Sequence, residues 1–274
     1  MHNHGVTCTA VLEATRTLFA LPEEVKRTLQ GETASRGYQP MFAETLDPNG
    51  QKRGDAKETF SVGPELASSP FDAPNIWPED PRLVNKIRAY RDSVRILARR
   101  LVGIIALSLG LESDFFDAML SKPIELLRLI HYAPEKSDLD NGLLGAGAHS
   151  DYGMITVLLI DQEKALQVWD ESTGDWMTLD LSEFEIGERL VVNIGDMLMR
   201  WTNDLYKSTR HRVVNCSGNH RYAAPFFFEP NFDTLVETIE TCCSEERPRK
   251  YEPVVSGHYL MAKYESTYQA INLD

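Results

Sequence analysis

Cysteine is scarce in this sequence and positive charge is outweighed, and each shortage excludes something. Four cysteines, Cys8, Cys216, Cys242 and Cys243, stand in 274 residues. Their placement gives no disulfide framework for a chain of this length. The adjacent Cys242 and Cys243 have no second close pair with which to build an all-cysteine zinc site. They read as reduced thiols, and a cytoplasmic location is expected. The formal net charge of −13 argues against unaided binding to nucleic acid or to an anionic membrane surface. No run of 18 apolar residues occurs, so no transmembrane helix is expected. Met1-His2-Asn3-His4-Gly5-Val6 lacks the basic and apolar regions of a signal peptide. Internal repeats and low-complexity tracts are also missing.

What remains is an ordinary globular composition, 42% hydrophobic and 25% charged, able to bury a core. Helical spacing governs the first third. Val11, Leu12, Leu18 and Phe19 share one face, and Pro22-Glu23-Glu24 restarts a helix with acid at its N-terminal end. Between 31 and 80 the density of Gly and Pro predicts a long irregular segment, of the kind that serves as a lid. Asp80-Pro81 then opens a long helix, an N-cap followed by proline at the first helical position. Its apolar stripe from Leu83 to Ile105 suits bracing a sheet from behind, and Gly110 ends it. From about residue 124 the pattern turns to short β-branched and aromatic runs: 124–132, 155–160, 166–169, 189–194 and 222–228. Ser172-Thr173-Gly174-Asp175 is the turn between two of them. Many short strands without interleaved helices predict a jelly roll, and 259–268 is helical again. The fold class is therefore mainly β with flanking helices. We divide the chain into an N-terminal helical region (1–120), a β core (121–235) and a tail with a helix (236–274), together one structural unit.

His149-Ser150-Asp151 is the chemical signal. On a strand, residues two apart point the same way, so an imidazole and a carboxylate can meet one ion. A distant third ligand, usually histidine, would complete a facial set that suits Fe(II) and leaves positions open for O2 and an oxidisable co-substrate. With seven histidines and 41 acids, roughly one H-x-[DE] pair is expected by chance, so the pair alone carries nothing. Its context does: Gly142, Gly145 and Gly147 precede it and the strand-like Met154–Ile160 follows. The third ligand is one of His2, His4, His131, His211, His220 and His258, of which His211 sits in the strand-like Ser208–Val214. Arg221, at the start of an aromatic strand, can grip a carboxylate through two parallel hydrogen bonds. A lone arginine is more often an exposed surface cation.

Together these segments resemble the 2-oxoglutarate- and Fe(II)-dependent oxygenases, in the branch of isopenicillin N synthase and the plant gibberellin and flavonoid oxygenases. Asn3-His4-Gly5-Val6 is similar to the family's NHGV, and Phe19-Ala20-Leu21-Pro22 to the helix pair that follows it. Gly37-Tyr38 and Lys57-Glu58-x-Phe60 resemble its R-G-Y and K-E-x-F segments. His149-x-Asp151-x-Gly153, Asn193-x-Gly195-Asp196, Ser208-x-x-His211-Arg212-Val213 and Arg221-Tyr222 match its metal and co-substrate signatures. The resemblance implies that His149, Asp151 and His211 ligate Fe(II), that Arg221 pairs with the distal carboxylate of 2-oxoglutarate and that Tyr132 hydrogen-bonds the same molecule. It implies oxidative decarboxylation of 2-oxoglutarate to succinate and CO2, with O2 as oxidant and hydroxylation, desaturation or ring closure of a small-molecule substrate. Neither the substrate nor the oligomeric state follows from it. Tyr38 and Phe60 are candidates to line the substrate entrance.

Three departures stand out. The family's R-x-S reads Arg221-Tyr222-Ala223, which removes one hydrogen bond, about 0.5–1.5 kcal/mol, and should weaken co-substrate binding several-fold. Ile130 stands where an asparagine often precedes the tyrosine by two residues. The chain also begins at the NHGV-like segment, where the family carries a further stretch that supplies strand beside the core; a truncated gene model, an alternative start and a naturally shortened protein all stay open, and a real loss would expose a sheet edge. These departures keep two other readings open: an Fe(II) oxidase that does without 2-oxoglutarate, Arg221 then holding a substrate carboxylate, and a non-catalytic truncated relative.

Overall fold

In the computed structural model the backbone is described for residues 4–268 except 32, 34 and 66–68, and side chains for residues 7–267 within that range. The side chains of the NHGV-like segment lie outside the described residues. Helix α1 (His4–Phe19) is followed by the short α2 (Glu23–Thr28), and α3 (Pro81–Ser108) is the long helix. Asp80 caps α3 by accepting from the Arg82 amide, and Pro81 occupies the first turn, as the pair predicts. Gly110, at φ +73°, follows its end, a left-handed position that glycine fills without steric cost. The buried stripe of α3 runs Leu83, Ile87, Tyr90, Val94, Ala98, Val102. It packs with α1 on the back of the larger sheet, in one core with Leu127, Leu129, Phe226 and Phe228. Among the described residues no helix is long and apolar enough to cross a membrane.

The strands are β1 (Gly37–Gln39), β2 (Lys57–Val62), β3 (Pro123–Tyr132), β4 (Ala146–His149), β5 (Ile155–Ile160), β6 (Leu166–Asp170), β7 (Asp175–Thr178), β8 (Val191–Ile194), β9 (His211–Val213) and β10 (Arg221–Asn231). Helix α4 (Asp196–Trp201) follows β8. A small ribbon of β11 (Leu235–Val236) and β12 (Val254–Val255) precedes α5 (Ser256–Tyr268). Six strands form the larger sheet in the order β1-β2-β3-β10-β5-β8, and four form the smaller in the order β4-β9-β6-β7. All pairings are antiparallel. From β3 to β6 and again from β7 to β10 the chain alternates between the two sheets, the jelly-roll arrangement. The edges of the larger sheet are β1 and β8, and Val192 of β8 is 40% exposed.

One expectation needs correction. The segment 31–80 is not simply an irregular lid, because β1 and β2 inside it join the larger sheet. Strand β2 is buried along its whole length, so its alternating side chains all meet protein. Ladder hydrogen bonds with β3 outweigh the breaker-rich flanks, and those bonds depend on a partner about seventy residues away, which local composition does not register.

Candidate metal and co-substrate centre

The two sheets meet over a cavity whose walls come from alternate residues of their facing strands. On β10 these are Arg221, Ala223, Pro225, Phe227 and Glu229. Phe226 and Phe228 point to the opposite face and are fully buried in the core.

Strand β4 ends at His149 and pairs with β9 so that His149 lies opposite His211 across the ladder. Asp151 does not share the strand, contrary to the H-x-D geometry expected above. A register irregularity interrupts β4 between Ala146 and His149, and Asp151 sits in the loop that follows. The loop is held from outside. The Asp196 amide donates to the Asp151 carbonyl at 2.8 Å, and Asn193 Nδ2 donates to Asp151 Oδ2 at 3.2 Å. Gly195 packs so tightly on Gly153 that an added Cβ would stand 2.2 Å from the Gly153 carbonyl oxygen. The Asn193-x-Gly195-Asp196 segment therefore acts as the frame that aims the Asp151 carboxylate.

Each histidine is fixed through its inner nitrogen. His149 Nδ1 donates to the Gly147 carbonyl at 2.7 Å, and His211 Nδ1 to the Thr209 carbonyl at 3.1 Å. A carbonyl can only accept, so the proton is on Nδ1 and Nε2 is left as a bare donor atom for a metal. His211 Nε2 is 3.7 Å from Asp151 Oδ1, and one donor atom from each of the three residues lies within 4.8 Å of the others. Burial, reinforced by the neighbouring His211, pulls the His149 imidazole down to about 3, so it is neutral at physiological pH. Two imidazoles and one carboxylate, mutually within reach of a single ion, fit Fe(II).

Tyr132, Arg221 and Lys57 form one row across three strands, because Arg221 and Lys57 both pair with Tyr132 from opposite sides. Arg221 is only 1% exposed, and its guanidinium stacks on the Tyr132 ring at 4.7 Å. Its Nε and Nη1 make no hydrogen bond among the described residues. A buried guanidinium with unmet donors is costly unless a ligand completes it, and its fork matches a carboxylate. Around it lie Ile130, Leu158, Leu166, Val213 and Ala223, a second apolar cluster that lowers the local dielectric and strengthens such a pair. The donor set thus fits both iron and a dicarboxylate co-substrate.

Other expected residues fall elsewhere. His131 faces the back of the sheet, where its Nδ1 and Nε2 lie 2.7 Å from Glu58 and 2.8 Å from His220. Tyr38 and Phe60 do not line the entrance. Tyr38, 2% exposed, donates to Glu58 Oε2 at 2.7 Å, and Phe60 is fully buried against the helices. The reason is strand parity: Phe60 and Glu58 share the back face of β2, while Lys57 and Thr59 face forward. Residues missed by sequence reasoning line the cavity instead. Lys57 Nζ bonds Asp55 at 2.6 Å and Glu44 at 2.7 Å, and Arg128 bonds Glu44 at 3.1 Å. Burial alone would lower the Lys57 ammonium, but Asp55 and Glu44 outweigh it and hold it above the usual lysine range. Tyr264 of α5, Tyr152 and Glu229 complete the wall. Alternation on β10 counted from Arg221 could have found Glu229, whereas Glu44 carries no pattern at all.

A jelly roll enclosing such a donor set has the architecture of a non-haem iron oxygenase. Comparison with known proteins identifies which. The model of the 2OG-Fe(II) oxygenase superfamily matches residues 123–230, and that of the N-terminal region of non-haem dioxygenases in morphine synthesis matches residues 1–80. The chain is 33% identical over 273 residues to a 2-oxoglutarate-Fe(II) type oxidoreductase of Emericella nidulans, covering 94% of this chain and 76% of that protein. It is 35% identical over 271 residues to a homoarginine-6-hydroxylase of Oryza sativa, covering 92% and 79%. Among solved structures, T7H of Neurospora crassa in complex with alpha-KG and thymine aligns with a TM-score of 0.83 at 30% identity, covering 97% of this chain and 85% of that one. A 2OG-Fe(II) oxygenase family protein of Caulobacter crescentus aligns with a TM-score of 0.82 at 32% identity, covering 97% and 87%. The chain belongs to the 2OG-Fe(II) oxygenase superfamily. It is a 2-oxoglutarate-dependent dioxygenase that uses Fe(II), 2-oxoglutarate and O2, and a small-molecule substrate fits that family.

Proposed function

We propose that His149, Asp151 and His211 hold the iron and that Arg221 with Tyr132 holds 2-oxoglutarate in the oxidation of a small organic molecule. The observation that carries this reading is the buried, unmet guanidinium of Arg221 beside three converging ligands. Iron held there with 2-oxoglutarate would activate O2, the oxidant: 2-oxoglutarate would give up two electrons in becoming succinate and CO2, and the substrate two more as it is hydroxylated or desaturated. The protein's own residues do the positioning. The Gly147 and Thr209 carbonyls keep each Nε2 aimed inward, and Asn193 restrains the carboxylate oxygen it touches. Arg221 orients the co-substrate by its distal carboxylate, and the apolar cluster around it keeps water out of that end.

Anaerobic titration of the Fe(II)-loaded protein with 2-oxoglutarate tests this. A saturable visible charge-transfer band is expected, shifted to much higher co-substrate concentration in Arg221→Ala. His149→Ala and Asp151→Ala should each lose iron, measured by metal analysis after desalting, together with all turnover. Retained activity in either variant sinks the ligand assignment. Oxygen uptake without succinate would show Arg221 to be a substrate clamp instead.

A further inference from the structure

The cavity contains one acid whose role the metal and co-substrate do not explain. Glu229 lies eight residues beyond Arg221 on the same face of β10, roughly 25 Å along a strand, at the opposite end of the cavity. It is 5% exposed. Its Oε2 accepts the Met154 amide at 2.8 Å. The carboxyl rests directly on the loop that carries Asp151, and a Cβ on Gly153 would stand 1.0 Å from Oε2, so the backbone itself fixes its position. Glu44, the other acid of the cavity wall beside Asp151, is neutralised by Lys57 and Arg128. Glu229 makes no ion pair among the described residues, and Oε1 is the oxygen left for a ligand.

Around this carboxyl the walls are flat and aromatic. Phe227 precedes it on the same face of β10. Tyr152, next to Asp151, and Tyr264 of α5 meet edge to face with ring centroids 6.0 Å apart. Aromatic rings favour flat, polarisable ligands in offset or edge contacts. An apolar ligand at this end would bury Oε1 without a partner, which is costly.

We propose that the substrate is a small heteroaromatic ring, packed against Phe227 and the Tyr152–Tyr264 pair, with a ring nitrogen or ring carbonyl accepting a hydrogen bond from Glu229 Oε1. This rests on the oxygenase reading above and specifies its substrate class. Burial, helped by the facing carboxylates Asp151 and Asp196 and opposed by the Met154 amide, pushes the Glu229 carboxyl up to about 8. Around neutral pH it therefore carries the proton that such an acceptor needs. Tyr264, also raised by burial, stays neutral over the same range.

The test uses the enzyme loaded with Fe(II) and 2-oxoglutarate, without oxygen, and calorimetric titration with four probes. 2-Pyridone and uracil carry the ring and the acceptor; toluene lacks the acceptor, and cyclohexanone lacks the aromatic ring. Saturable binding of 2-pyridone or uracil is expected, at least about tenfold tighter than either control. The preference should vanish in Glu229→Leu. It should persist in Glu229→Gln, whose amide still donates. Wild-type affinity should fall with rising pH as Glu229 gives up its proton, and Glu229→Gln should lack that fall, a difference that a merely structural role of Glu229 would not produce. Heteroaromatic probes that bind no better than toluene, in protein that shows the charge-transfer band, overturn this proposal and leave the co-substrate reading intact. So does a Glu229→Leu variant with unchanged band and melting temperature that keeps the preference. Loss of the band in the wild type overturns both.

Discussion

Ala223 shows how one missing atom can be weighed. It is 1% exposed, on the same face of β10 as Arg221 and two residues from it, where the family pattern has serine. Ala223→Ser should restore one hydrogen bond to the co-substrate, about 0.5–1.5 kcal/mol, and tighten the 2-oxoglutarate Kd by roughly two- to tenfold. The same anaerobic titration reads this, and an unchanged or weaker Kd would show that the co-substrate lies elsewhere. The ligand residues were legible as types: only His149 has an acid two residues on, and Arg221 opens an aromatic strand. Their fixation was not legible, because it comes from backbone carbonyls and from Asn193, which sequence cannot distinguish from solvent-facing groups.

The elements follow their local chemistry where that chemistry is strong. Helix α3 runs from its Asp-Pro start almost to Gly110, and the β5 run at 155–160 is observed as read. Strand β2 was missed, and with it the fate of Phe60. A core position there carries a prediction: Phe60→Ala should lower unfolding stability by about 3–5 kcal/mol through the cavity it leaves. The 2-oxoglutarate Kd should stay within about twofold, because the side chain faces the helices. Urea denaturation and the band titration separate these effects. A large change in Kd with little loss of stability would return Phe60 to the entrance.

For the whole molecule, charge buried between the sheets couples distant segments. Lys57 of β2 holds Asp55 and Glu44, and Glu44 also holds Arg128 of β3. Replacing one member leaves its partners charged and buried, so Lys57→Met should cost about 3–5 kcal/mol, read from the urea midpoint at constant m. Glu229 makes stability depend on pH in a defined direction. Its carboxyl ordinarily titrates near 4.5 and is pushed up to about 8 in the fold, so the folded state keeps its proton longer than the unfolded chain. Its contribution is complete below pH 4.5 and is lost as pH rises through about 8, at up to about 1.4 kcal/mol per pH unit. In metal-free protein, Glu229→Gln should be nearly free of that decline between pH 5 and 8. An identical slope in wild type and variant would place the titration on another group.

The sequence by itself determined the jelly-roll class, the long bracing helix and the His149-x-Asp151 pair, while His211 stood out from the other histidines only through the family resemblance. Those depend on local spacing, caps and residue chemistry, which the chain carries everywhere along its length. Only the tertiary structure decided which face each strand presents, and hence that Tyr132 and Lys57 look into the cavity while His131, Tyr38 and Phe60 look away. Shifting a strand by one residue exchanges its faces, and the register of β2 on β3 is set by partners that meet only when the two sheets close. The same closure brings Glu44 and Glu229, 185 positions apart in the numbering, into one cavity wall.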